Sequence, residues 1–188
     1  IEKTYSREKI EHTYKVDAYA AGLLENKKTL RTFTKKAQAA GSKNLLLAGV
    51  EGVGLGILGI GLPDIPLFTG MILKSIYETA LHYGYSYDTE EEKYFILLLI
   101  QGALSYGDAL RQINEQTDRY IMEQTVPQGY DSGEQIRKTS SVLSKELLYM
   151  KFLQGIPVAG VIGGAYDSIY LKRILDYGKI KYRNCLLY

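Results

Sequence analysis

The sequence predicts an all-α fold: one compact domain of about six to seven helices around a Gly-rich apolar central hairpin. Three observations carry that expectation. Apolar residues recur at spacings of three and four along most of the chain. No convincing period-2 alternation marks a strand. The 188 residues, 46% of them apolar and 23% charged, suffice for one buried core, so residues 1–188 read as a single domain. The one competing strand signal is the partial alternation of Val53, Leu55 and Ile57 in the Gly-rich stretch 49–61.

The first helix is expected over 6–40. Ser6 caps it, and Ile10, Tyr14, Ala18, Ala21 and Leu24 form its apolar stripe. Lys27, Lys28, Arg31, Lys35 and Lys36 make its later part basic, and Gly41-Ser42 ends or bends it. Residues 45–73 carry only Glu51 and Asp64 as charges. Their length permits a membrane span, but the glycines and Pro63-Asp64-Ile65-Pro66 argue against a single straight one. Two readings stay open: a buried helical hairpin, or a pair of helices able to enter a bilayer. Asp64 is the N-cap of the next helix, with Pro66 in its first turn. Leu73, Ile76, Tyr77, Ala80 and Leu81 form one face of that helix and Lys74 and Glu78 the opposite one; Gly84 stops it.

Thr89-Glu90-Glu91-Glu92 reads as a capping box. It opens a helix apolar on every side from Tyr94 to Ile100, as a central helix is. A more exposed helical run continues from Asp108 to Gln124. Residues 125–134, with Pro127, Gly129 and Gly133, read as a flexible loop too short to separate domains. A helix from about 135 to 154 follows, with Ile136, Val142, Leu143, Leu147 and Met150 apolar. The last helix starts at Pro157, its apolar residues Val158, Ile162, Ala165 and Ile169, its end basic and Tyr-rich.

Composition removes several function classes. Two His and one Cys exclude a four-ligand His/Cys zinc site and an intrachain disulfide. No metal site and no cofactor are expected. His12 and His82 fall on polar helix faces and are read as solvated. A net charge of +2 gives no case for nucleic acid. The charge is unevenly spread: residues 1–44 carry +5, residues 45–134 carry −9 and residues 135–188 carry +6. If the chain ends meet, they make a basic face suited to anionic headgroups or acidic partners. No segment reads as a signal peptide, and the Cys185-Leu186-Leu187-Tyr188 ending is a chance likeness to a prenylation box.

The chain has 19 Gly against 4 Pro, and 17 Tyr against 4 Phe and no Trp. Gly54-Leu55-Gly56-Ile57-Leu58-Gly59 matches a dinucleotide fingerprint, but Pro63 and Pro66 interrupt the helix that such a site needs. Gly52 with Gly56, and Gly160 with Gly164, instead share helix faces at spacing four, which lets two backbones approach closely. Asp64 and Asp167 each sit alone in apolar runs. Asp64 reads as a helix cap, and Asp167 as bonded to a tyrosine or a neighbouring helix. As a catalytic pair they lack a nucleophile, a placed His or a metal cluster. The tyrosines suit a boundary between apolar and wet surroundings.

Three stretches in order resemble the EcsC protein family: the Gly-rich run ending Gly61-Leu62-Pro63-Asp64-Ile65-Pro66-Leu67; Ile72-Leu73-Lys74-Ser75-Ile76-Tyr77-Glu78 through Tyr83-Gly84 and the acidic helix start; and Ile156-Pro157-Val158-Ala159-Gly160-Val161-Ile162-Gly163-Gly164-Ala165-Tyr166-Asp167. The resemblance covers about residues 35–180. The family often has Asn where this chain has Asp167. What the resemblance implies is a bacterial helical protein with membrane connections, named for a member encoded beside an ABC transporter in a system linked to secretion and membrane proteolysis. No catalytic residues carry over from it.

The expected function is therefore a non-enzymatic lipid-binding or membrane-associating domain, cytoplasmic and peripheral to the inner membrane face. Leu55, Ile57, Leu58, Leu62, Phe68, Leu98, Ile162 and Tyr166 would meet the lipid or membrane. Gly52, Gly56, Pro63, Asp64, Pro66, Pro157, Gly160, Gly164 and Asp167 would build the supporting motif. The alternatives are a protein-interaction module regulating an ABC transporter or membrane protease, and an enzyme using Asp64 or Asp167.

Overall fold

The computed structural model describes residues 5–22, 32, 34–40, 43, 65–154 and 163–187, with no strand among them. Its helices are α1 (Arg7–Gly22), α2 (Ile65–His82), α3 (Glu90–Leu104), α4 (Gly107–Glu123), α5 (Ser132–Gln154) and α6 (Gly163–Cys185). Residues 34–40 are also helical. The fold is all-α, as the sequence predicts. No helix among the described residues is long and apolar enough to cross a membrane.

The position of α3 follows from its composition. A helix apolar on all sides finds solvent nowhere favourable, and α3 packs against α4, α5 and α6. Its faces feed two cores. Ile96, Ile100, Ala103 and Leu104 join Phe68, Ile72 and Ile76 of α2, Leu147 of α5, and Leu171, Ile174 and Leu175 of α6 in an aliphatic core. Tyr94, Phe95, Leu98 and Leu99 join Tyr83, Tyr120 and Tyr182 in an aromatic one. Helix α1 lies on α2, with Ile10 packed on the aliphatic core and Tyr14 and Ala18 on the aromatic one. These three belong to the stripe its spacing predicts; Leu24 lies outside the described residues.

The turns have local causes. Gly84 ends α2 at φ +86°, in the left-handed region that favours glycine. Thr89 caps α3, its hydroxyl accepting from Glu92 N at 3.2 Å. Extended Ser105 and Tyr106 then separate α3 from α4, so the polar run to Gln124 is a second helix and not a continuation. Gln124 takes φ +53° and closes α4 through its own N–H to Tyr120 O at 2.7 Å and its side-chain amide to Ile121 O at 3.2 Å. Helix α5 begins at Ser132, three residues before the sequence reading placed it. The Asp131 carboxylate accepts from Glu134 N at 3.1 Å and starts the helix inside the expected loop.

Other expectations change with the packing. Glu78 is buried, although it was expected on the solvent side of α2. Ile136 and Ile169 are exposed: α5 turns Gln135, Thr139 and Leu147 inward, and α6 turns Leu171, Ile174 and Leu175 inward. Lys181, read as part of a basic surface, is buried and reaches Asp118 at 2.6 Å. His82 is half-buried, not solvated, and both burial and the Lys36 charge hold its imidazole pKa below the ordinary value. Close approach at glycine occurs between α3 and α6. A Cβ on Gly102 would lie 2.5 Å from the Tyr177 hydroxyl.

Candidate functional site: a buried acid, its tyrosines and an adjoining cleft

Glu92 occupies the position that a capping box reserves for a carboxylate reaching back over the helix start. Instead its side chain turns into the aromatic core and is only 3% exposed. There it accepts a hydrogen bond from the hydroxyl of Tyr182, a residue with no exposed surface, on α6. Among the described residues, no Lys or Arg pairs with it. Burial pushes the carboxyl up to about 7, outweighing the opposing pull of the Tyr182 hydrogen bond.

A run of aromatic contacts surrounds this acid. Tyr182 stacks on Tyr83 with ring centroids 5.9 Å apart and meets the edge of Phe95 at 5.2 Å. Phe95 stacks on Tyr120 at 4.6 Å. Tyr94 contacts Tyr120 at 6.0 Å and Tyr130 at 5.1 Å. Burial raises the hydroxyl pKa of Tyr85, Tyr120 and Tyr182, so these phenols stay protonated at neutral pH. Burial and the neighbouring Glu92 also push the Cys185 thiol up to about 12, which leaves no thiolate for nucleophilic attack. The cluster retains a proton near neutrality but holds no nucleophile–base pair.

Tyr94 and Tyr120 also form the floor of a cleft of about 540 Å³. Gln116, Arg119 and Glu123 of α4 line one wall, and residues 125–128 of the following loop line the other. The floor tyrosines are nearly closed to solvent, whereas Arg119 and Glu123 are exposed.

None of the described site residues singled out from sequence lines this cleft. Phe68 is buried in the aliphatic core and Leu98 in the aromatic one. Pro66 lies in the first turn of α2, and Gly164, Tyr166 and Asp167 lie near the start of α6. Gly52, Leu55, Gly56, Ile57, Leu58, Leu62, Pro63, Asp64, Pro157, Gly160 and Ile162 lie outside the described residues. Glu92 and Tyr182 were missed. A signal for Glu92 existed: it stands three residues before Phe95, four before Ile96 and seven before Leu99, on the inward side of its helix.

An all-helical domain with these sequence stretches defines a class. The chain belongs to the EcsC protein family, whose model matches residues 1–187. It is 26% identical over 152 residues to the uncharacterized protein YdbA of Bacillus subtilis (strain 168), covering 78% of this chain and 55% of that protein. It is 32% identical over 107 residues to Protein EcsC of the same organism, covering 54% of this chain and 41% of that protein. The chain thus spans about half the length of the curated relatives it matches. No solved structure matches it.

Proposed function

We propose that this domain associates with a membrane surface or binds lipid, without enzymatic chemistry, as a peripheral protein on the inner face of a membrane. The observation that carries this reading is the convergence of the chain's two basic-rich parts. Ala37 and Cys185 share one core. The Tyr83 hydroxyl donates to Thr34 at 3.5 Å, while the Tyr83 ring stacks on Tyr182. Lys35 and Arg183, neighbours of these contacts in sequence, are both exposed. Exposed cationic side chains on adjoining segments attract anionic headgroups. The described end of the apolar run 45–73 lies in α2, where Phe68 and Ile72 sit in the aliphatic core.

Flotation with vesicles containing phosphatidylglycerol tests the proposal. The protein should rise with anionic vesicles, and Lys35→Glu with Arg183→Glu should reduce that fraction. No flotation on anionic vesicles, together with no lipid co-purifying in native mass spectrometry, overturns it.

A second reading is an interaction module serving a membrane transporter or protease. It is favoured by the exposed Ile136, Leu148 and Tyr149 on α5. Recovery of a transporter or protease from solubilised membranes, lost on Leu148→Glu, would support this reading over the first.

A further inference from the structure

We propose that the cleft at the end of α4 binds a small zwitterion, a phosphodiester joined by a two-carbon arm to a primary ammonium, which is the chemistry of an ethanolamine phosphate headgroup. The proposal deepens the lipid reading above and rests on it for the membrane source of that group.

Arg119 and Glu123 are separated by one helical turn and both line the cleft. Opposite charges at that spacing commonly pair with each other. Here neither is ion-paired with any described residue, although six other i,i+3 or i,i+4 ion pairs form among the described residues, at Arg7–Glu11, Lys93–Glu90, Arg111–Asp108, Lys138–Glu134, Lys172–Asp176 and Lys179–Asp176. The cleft therefore carries one cation and one anion whose charges are not cancelled locally. A guanidinium suits a phosphate through paired N–H donors. A carboxylate suits a primary ammonium, which has three donors to offer.

The helix fixes the orientation. Its C-terminal end carries partial negative charge and favours a cation. The ammonium therefore sits by Glu123 at the helix end, and the phosphate sits a turn back at Arg119. Side chains at i,i+4 lie about 5–6 Å apart at Cβ. A two-carbon arm bridges such a gap better than an α-amino acid, whose two charges share one carbon. Tyr94 and Tyr120 complete the floor, but both are nearly closed to solvent, so they offer little ring face to a cation. Recognition of the ammonium then falls to Glu123 through hydrogen bonds. A trimethylated ammonium has no donor for that carboxylate and should bind worse.

The test is titration of the full chain with soluble glycerophosphoethanolamine, followed by calorimetry and amide NMR shifts. Saturable binding is expected, with shifts confined to α4 and the 124–131 loop. Arg119→Gln and Glu123→Gln, both surface changes checked for intact helicity, should each weaken it about tenfold or more. Glycerophosphocholine should bind more weakly than the ethanolamine compound. No saturable binding, equal binding of the two compounds, or affinity unaffected by Glu123→Gln overturns the proposal; the last result would mark an anion site only. Vesicles of phosphatidylethanolamine with phosphatidylglycerol separate the two sources. Binding of the soluble compound, with neither flotation nor co-purifying lipid, keeps this site and removes the membrane reading. Flotation that ignores both substitutions, with no binding of the soluble compound, removes this site and keeps the membrane reading.

Discussion

The Tyr182 hydroxyl on α6 donates to the Glu92 carboxylate on α3 inside an aromatic core. A carboxyl placed there is stabilised in its neutral form, and burial moves its pKa from the ordinary 4.5 up to about 7. The unfolded chain therefore releases this proton first as pH rises. Stability is greatest below the unfolded value and falls through the folded one, by about 3 kcal/mol once both states are ionised. Glu92→Gln keeps an acceptor for Tyr182 and removes the titration. Urea denaturation from about pH 5 to about pH 8 should show the variant gaining on the wild type as pH rises. His82 works in the opposite sense: its lowered pKa adds stability above the ordinary imidazole value, and that stability is lost as pH falls. The imidazole is present in both proteins and cancels in the difference. Parallel pH curves would show that Glu92 ionises without cost.

Gly102 permits α6 to approach α3 where Tyr177 crosses. Its absent Cβ would meet the Tyr177 hydroxyl at 2.5 Å and the ring carbons at 2.6 and 2.7 Å. Tyr177 has little freedom to move aside, because its hydroxyl donates to Asn114 at 2.8 Å and Lys181 lies over its ring. Gly102→Ala should destabilise the protein by about 1–3 kcal/mol, as overpacking does. In a Tyr177→Ala background the same change should cost much less. An equal cost in both backgrounds would place the effect elsewhere.

The α3–α5 contact contains a polar pair. Gln101 Nε2 donates to the Thr139 hydroxyl at 2.7 Å, and that hydroxyl donates to Gln135 O at 2.9 Å. Both side chains are buried. Thr139→Val leaves the Gln101 amide without this acceptor, at a cost of about 1–3 kcal/mol. Adding Gln101→Met should recover much of that loss, because the donor is then gone too. Chemical denaturation of the two single variants and the double gives the coupling. Additive losses would mean that the bond contributes nothing specific.

What the sequence made legible was set by periodicity. The all-apolar stretch Tyr94–Ile100 marked the central helix, and Gly84 and Thr89 marked a stop and a start, because each has a local cause. Membership in the family was legible from the three stretches together. The candidate site was not. Glu92 looks like a capping residue until Tyr182, ninety positions away, supplies its partner. Lys181 looks like surface charge until Asp118 meets it. Such pairings depend on helix rotation set by packing, which local spacing does not encode. The cleft likewise depends on how the 124–131 loop folds against Tyr94.

Gly84 combines two constraints that a paired experiment separates. Its φ of +86° disfavours any side chain, and a Cβ there would fall 2.1 Å from the Tyr14 ring. The first constraint belongs to the turn alone; the second joins the turn to α1. Gly84→Ala should therefore both strain the turn, by about 1–2 kcal/mol, and push α1 outward. Limited proteolysis should then cut α1 faster, and denaturation should show a loss beyond the backbone strain. With Tyr14→Ala present, only the backbone cost should remain, so the further loss caused by Gly84→Ala should shrink. Full persistence of that loss would mean that α1 does not bear on the turn.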